Sequence, residues 1–236
     1  MFRGPVATRD FFGKLRLDQV SDRHELIVFP PAVSLEAAAG VRPERVQVGV
    51  QNIHWEDEGA FTGEISAAMA RQVGAELALI GHSERRHLFG ETDEQVALKT
   101  GAAVRNGLTP VLCVGETLSE RRAGRVDEVI LRQLDAALPE LSAAPRALIA
   151  YEPVWAIGTG ENATPGDASM AHATLRGRLS EALGAGVAAR VAILYGGSVK
   201  PGNAAELLAA EHVDGVLVGG ASVDPVSYVE IARSAR

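Results

Sequence analysis

The chain of 236 residues has one cysteine, Cys113, so no intrachain disulfide can form, and a reducing cytoplasm is the expected home. It has no run of roughly 18 apolar residues, which a membrane span requires. The opening Met1-Phe2-Arg3-Gly4-Pro5-Val6 lacks the apolar core of a signal peptide. There is no basic cluster, and the net charge is -7, which argues against a nucleic-acid or acidic-membrane partner. Any anionic ligand must therefore be captured locally, against the field of the whole molecule. No HExxH or CxxC spacing points to a metal. The acidic run Glu56-Asp57-Glu58 lacks the alternation of a calcium loop and reads as a solvated segment. No Pro/Ser linker divides the chain, so residues 1–236 read as a single domain.

What the chain does have is a cadence. Apolar, β-branched runs recur at 25–29, 46–50, 77–80, 110–114, 147–150, 191–194 and 213–218. Amphipathic stretches such as 93–105, 119–138, 167–183 and 201–210 lie between them. Strands alternating with helices predict a parallel sheet covered on both faces. An open doubly wound sheet normally has a Gly-rich turn after its first strand, and none follows Phe29. Gly158-Thr159-Gly160 with Ala163 has the bare spacing of that fingerprint, but it comes late, and Thr164-Pro165-Gly166 is expected to keep a helix from opening at once. A (β/α)8 barrel fits better, because it gathers its chemistry at the C-terminal ends of several strands.

Four such ends carry suggestive residues. Glu152 closes the run Ala147-Leu148-Ile149-Ala150-Tyr151 and precedes a proline, an aromatic and a Gly-rich tip. Taken alone it is a strand-capping carboxylate. Beside a loop able to close, it is a base for proton chemistry that excludes water. His82, in Gly81-His82-Ser83-Glu84-Arg85-Arg86, follows another strand at a helix start. The dipole there disfavours imidazolium, so a neutral ring able to donate to a carbonyl is expected. His24, His87, His172 and His212 read as structural. Gly196-Gly197-Ser198 and Gly219-Gly220 follow the last two strands, where barrel phosphate sites lie and where backbone N–H groups at helix starts can hold an anion. The plain alternative is two tight turns that need glycine for conformation. Cys113, inside Val111-Leu112-Cys113-Val114, reads as packing rather than as a nucleophile.

Taken in order, these motifs resemble the triosephosphate isomerase family over nearly the whole chain. They run from Gln51-Asn52 and His54-Trp55-Glu56-Asp57 through Phe61-Thr62-Gly63-Glu64, the His82 motif and Leu112-Cys113-Val114-Gly115-Glu116. They continue through Tyr151-Glu152-Pro153-Val154-Trp155 and Tyr195-Gly196-Gly197-Ser198-Val199 to Val218-Gly219-Gly220-Ala221. The resemblance implies a TIM barrel that interconverts dihydroxyacetone phosphate and D-glyceraldehyde 3-phosphate in glycolysis and gluconeogenesis, through an enediolate. It implies Glu152 as proton shuttle and neutral His82 as electrophile, the pairing for which this enzyme is itself a standard worked case. It further implies phosphate held at Gly158, Ser198, Gly219 and Gly220, and a closing lid over residues 153–163. No metal or organic cofactor is implied. The implied partner is a second copy, docked through the loop around Thr62, with Glu64 and Arg85 as a supporting ion pair.

One family feature is missing. The family opens with a strand ending in Asn-Trp-Lys-Met, whose Asn and Lys enter the active site. Met1 here takes the place of that Met, so the first strand and its lysine are absent. Arg3, after the strand position, and Lys14, in the following helix, are poor substitutes. Two explanations are open. The true start lies roughly ten residues upstream, about one strand and its lead-in, or the chain is an inactive, truncated phosphate-binding barrel. The intact remainder of the site favours the first. A sugar-phosphate aldolase would need a strand-borne Schiff-base lysine, and no predicted strand contains one.

Overall fold

The computed structural model describes residues 2–157 and 163–235. Seven strands form one sheet: β1 (Leu26–Val28), β2 (Val46–Val50), β3 (Leu77–Ile80), β4 (Thr109–Val114), β5 (Leu148–Tyr151), β6 (Ala192–Tyr195) and β7 (Gly215–Val216). Their spatial order is the sequence order β1-β2-β3-β4-β5-β6-β7, and every neighbouring pair is parallel. A doubly wound sheet would reverse its order part-way; this one never does.

Side chains alternate along each strand and define two layers. Leu77, Leu79, Val111, Cys113, Leu148 and Ala150 form one buried cluster, against which Ile27, Phe29, Ala192, Leu194 and Leu217 pack. Ala78, Ile80, Leu112, Val114, Ile149 and Tyr151 point the other way, into the larger cluster shared with the helices. Residues of the first, central and last strands can share one inner cluster only if the sheet curls. The result is a TIM barrel with seven of its eight strands. Each inward leucine or valine in the closed part contributes roughly 1.5–3 kcal/mol of burial.

The curl does not close through hydrogen bonds. β1 pairs only with β2, and β7 only with β6, among the described residues. The inner-layer side chains left half-buried, Ile27, Phe29, Ala192, Leu194 and Leu217, lie on or directly after strands at or next to this opening. A strand lacking a neighbour loses ladder bonds and flank packing together, which is why β1 and β7 shrink to three and two residues where the apolar runs are longer.

Local signals set the helix starts. Thr92 with Gln95, Thr117 with Glu120 and Thr164 with Asp167 are reciprocal capping boxes. Pro165 does not delay its helix: it takes the first helical position of Pro165–Leu183, where its missing N–H costs nothing. The stretch expected as one helix over 119–138 is two, Leu118–Arg122 and Val126–Ser142. Gly124, at φ 69°, breaks it, and the Arg125 N–H turns back to the Glu120 carbonyl at 3.0 Å. No helix among the described residues is long and apolar enough to cross a membrane.

Candidate active site

The site is built where β3 and β5 end. Gly81, at φ 70°, turns the chain out of β3, so that His82 becomes the N-cap of helix Ser83–Leu88. The His82 Nδ1 accepts from the Glu84 N–H at 3.3 Å, which leaves Nε2 as the ring's donor. Nε2 lies 3.0 Å from Oε1 of Glu152. The Glu152 side chain is 2% exposed. Its Oε2 accepts from the Ser83 N–H at 2.9 Å, and its Oε1 from the Ser83 hydroxyl at 3.2 Å. The carboxylate is thus held on the first free amide of the helix that His82 caps.

Two glycines let Glu152 sit there. A Cβ on Gly115 would fall 1.7 Å from the Glu152 carbonyl oxygen, and one on Gly196 would fall 2.9 Å from its Cγ. Gly115→Ala is therefore expected to cost about 3 kcal/mol, because the obstacle is backbone. A thermal unfolding scan should show a loss of about 10 °C.

The β6 and β7 turns open on the same rim. Gly196-Gly197-Ser198 leads to helix Pro201–Leu208, and the Ser198 carbonyl accepts from Asn203 Nδ2 at 2.9 Å. Gly219 and Gly220 begin the 3-10 turn Gly220–Val223, exposed, with nothing within 4 Å of a Cβ at either. None of these four glycines has a positive φ. At Gly197 the requirement is close approach, since a Cβ would lie 2.1 Å from the Tyr195 hydroxyl. At Gly219 and Gly220 the missing side chains leave the backbone open to solvent. Gly158 lies outside the described residues.

The segment after Glu152 is anchored at both described ends. Trp155, in the 3-10 turn Val154–Ala156, donates its Nε1 to Glu116 Oε1 at 2.7 Å, and the Tyr151 hydroxyl donates to Glu116 Oε2 at 3.0 Å. Burial raises the Glu116 pKa, and these donors oppose that. Arg121 stacks over the Trp155 ring at 4.4 Å and pairs with Asp167 at 2.5 Å, so one guanidinium joins the two anchors.

A family model described as triosephosphate isomerase matches residues 1–235. A triosephosphate isomerase of Solibacter usitatus is 48% identical over 99% of this chain and 95% of its own length. One of Symbiobacterium thermophilum is 51% identical over 89% of this chain and 84% of its own. One of Alkalilimnicola ehrlichii is 46% identical over 99% and 94%. The chain belongs to the triosephosphate isomerase family.

Within that family frame, one expected contact is absent. Arg85 does not pair with Glu64, which stays exposed in its loop; its Nε bonds Glu91 Oε2 at 2.7 Å. A turn through Gly90, at φ 69°, brings Glu91 back over the helix, and its N–H bonds the Arg85 carbonyl at 3.1 Å. Lys99 completes the cluster, 2.5 Å from Glu91 and 2.8 Å from Asn52 Oδ1. That occupies one of the chain's three lysines. Lys14 ends helix Pro5–Lys14, Lys200 caps helix Pro201–Leu208, and none of the three lies on a strand. Cys113 is fully buried in the inner layer, and burial, followed by the Glu152 charge, pushes its thiol well above the ordinary range. His172 is buried against the His212 carbonyl, and burial lowers it to about 4. Among the described residues, no three His, Cys, Asp or Glu side chains gather as metal ligands.

The sequence gives no role in holding Glu152 to Ser83 or Gly115, and Gly196 reads from it only as part of an anion-holding turn. A serine after a strand-end histidine is a local signal for Ser83. The two glycines act through contacts that only the fold creates.

His82 is pulled in two directions. The helix start and burial both favour the neutral ring, but the hydrogen bond and charge of Glu152 outweigh burial, and the pKa stands above its ordinary value. The sign follows: this contribution to stability is present below the unfolded-state pKa and is lost as pH rises through the folded value. Glu152→Gln removes the charge, so the His82 pKa should fall in an NMR titration of the ring protons. An unchanged or higher value would show that Glu152 is not its cause.

Proposed function

We propose that the chain interconverts dihydroxyacetone phosphate and D-glyceraldehyde 3-phosphate, a step of glycolysis and gluconeogenesis. One observation carries the mechanism: a buried carboxylate and a ring N–H donor 3.0 Å apart, at the ends of two strands, with open glycine turns on the same rim. Glu152 leaves Ser83 to take a proton from the hydroxymethyl carbon of the ketose. The electron pair flows into the C–C bond and onto the carbonyl oxygen, giving an enediolate. Donation from His82 Nε2 stabilises that oxygen as its charge develops. The proton of the neighbouring substrate hydroxyl passes to that oxygen, and Glu152 returns its own proton to the adjacent carbon as the first carbon becomes the carbonyl, which yields the aldose with no net gain or loss of atoms. The backbone at Gly158, Ser198, Gly219 and Gly220 holds the phosphate, a neutral cradle that suits an acidic protein.

Residues 153–163, of which 158–162 lie outside the described residues, close over the site. Closure excludes water and suppresses elimination of phosphate from the enediolate. The unit is a single domain acting in the cytoplasm, consistent with its one, buried thiol. It pairs with a second copy through the loop around Thr62. His54, Trp55 and Phe61 pack there, with ring centroids 4.2 Å and 4.1 Å from His54, and exposed Phe61 and Phe89 line the cleft beside it. A coupled turnover assay with either triose phosphate tests the activity. Turnover above the uncatalysed rate is expected, and none from either triose phosphate would refute the proposal.

A further inference from the structure

Arg3 stands across the opening in the barrel. Its carbonyl accepts from the Ser34 hydroxyl at 2.9 Å, on the segment that follows β1. Its Nε donates to the Val223 carbonyl at 2.7 Å, on the segment that follows β7, and Nη2 donates to the same oxygen. Nη1 reaches the Ala7 carbonyl at 3.2 Å, and the guanidinium lies over the Phe11 ring at 5.4 Å. One residue therefore ties together the two flanks that the sheet leaves unpaired.

The flank it grips on the β7 side is the Gly219–Gly220 turn. Val223 ends the 3-10 turn that Gly220 begins. Inside it, the Ser222 N–H and hydroxyl both bond the Gly219 carbonyl, at 3.0 Å and 2.7 Å. Beyond it, Asp224 Oδ2 caps the next helix through the Ser227 N–H at 2.8 Å. The glycines themselves face open space, so the turn is held from its far end. Arg3 holds that end with two charged donors on one carbonyl, and does so from φ 58°, where glycine would sit without strain. A backbone cradle binds an anion well only when its N–H groups are fixed before the ligand arrives.

We propose that Arg3 is a positioning residue that holds the Gly219–Gly220 turn in its anion-accepting shape, an inference that rests on reading that turn as the phosphate site.

The test uses inorganic phosphate as probe, titrated calorimetrically into the whole chain. Arg3→Gly removes the guanidinium and relieves the backbone, so the fold is not put at risk by strain. Its phosphate dissociation constant should rise about tenfold. The KM for the triose phosphate should rise by a similar factor, with kcat nearly unchanged. Arg3→Lys keeps the charge without the fork and should recover only part of the loss. It also reads the same quantity if Arg3→Gly fails to fold. Wild-type affinity in both variants, with or without a lower unfolding temperature, overturns the inference and leaves the phosphate site standing. A wild-type chain that binds phosphate no better than Gly220→Asp overturns the phosphate reading, and the inference with it.

Discussion

Glu152→Gln should lower the turnover of triose phosphate by about a thousandfold. The amide is nearly the same size and can keep a bond to the Ser83 N–H, so the loss is chemical rather than structural. Glu152 is 2% exposed, flanked by Gly115 and Gly196, and fixed by three donors from Ser83 and His82. A group held this firmly cannot be replaced by a neighbour. No other carboxylate meets His82 among the described ion pairs. Glu116 is committed to Tyr151 and Trp155, and Glu91 to Arg85 and Lys99. Phosphate affinity, which depends on the β6 and β7 turns, should stay within about twofold of wild type, since those sites share no partner with Glu152's carboxylate. Equal turnover in wild type and mutant would remove Glu152 from the mechanism.

A second large effect is expected in the opposite direction. Adding a strand that ends in Asn-x-Lys ahead of Met1 should raise kcat/KM by about a hundredfold to a thousandfold. The physical case rests on the opening between β1 and β7. Among the described residues both strands have one unpaired edge, and Ile27, Phe29, Leu194 and Leu217 present half-buried side chains to the inner layer. A parallel strand there gains ladder bonds on both sides and buries those side chains. It would also bring a cation to a rim where Lys14, Lys99 and Lys200 do not supply one from any strand. The comparison is made by coupled assay of both proteins, with unfolding temperature measured alongside. A strand with Lys replaced by Met separates the two contributions: stability should rise in both extended chains, turnover mainly in the one with lysine. No gain in turnover from either would mean the rim already holds all the charge it needs.

The positions of the seven strands were legible because each is a near-continuous apolar run, the pattern of a strand buried on both faces. The choice of barrel over open sheet was legible from the glycine turns and titratable residues falling at strand ends. The weakness of β7 was not, since Val213-Asp214-Gly215-Val216-Leu217-Val218 reads as six strand residues and only the missing neighbour shortens it. The helix break at Gly124 was a local signal passed over, a single glycine within an otherwise amphipathic stretch. In the site, His82 and Glu152 stood out by type and position. Their direct contact, the wedge of Gly115 and Gly196, and the choice of Glu91 over Glu64 by Arg85 depend on approaches between residues distant in sequence or on how a turn folds back. No local pattern encodes those.

Proton transfer at Glu152 is the central claim, and solvent exchange reads it most directly. The chain is incubated with dihydroxyacetone phosphate in deuterium oxide, and deuterium at the hydroxymethyl carbon is followed by proton NMR, for wild type and for Glu152→Gln. Incorporation by the wild-type chain and none above background by the mutant is the expected result. Incorporation at equal rates, or by neither protein, would contradict it.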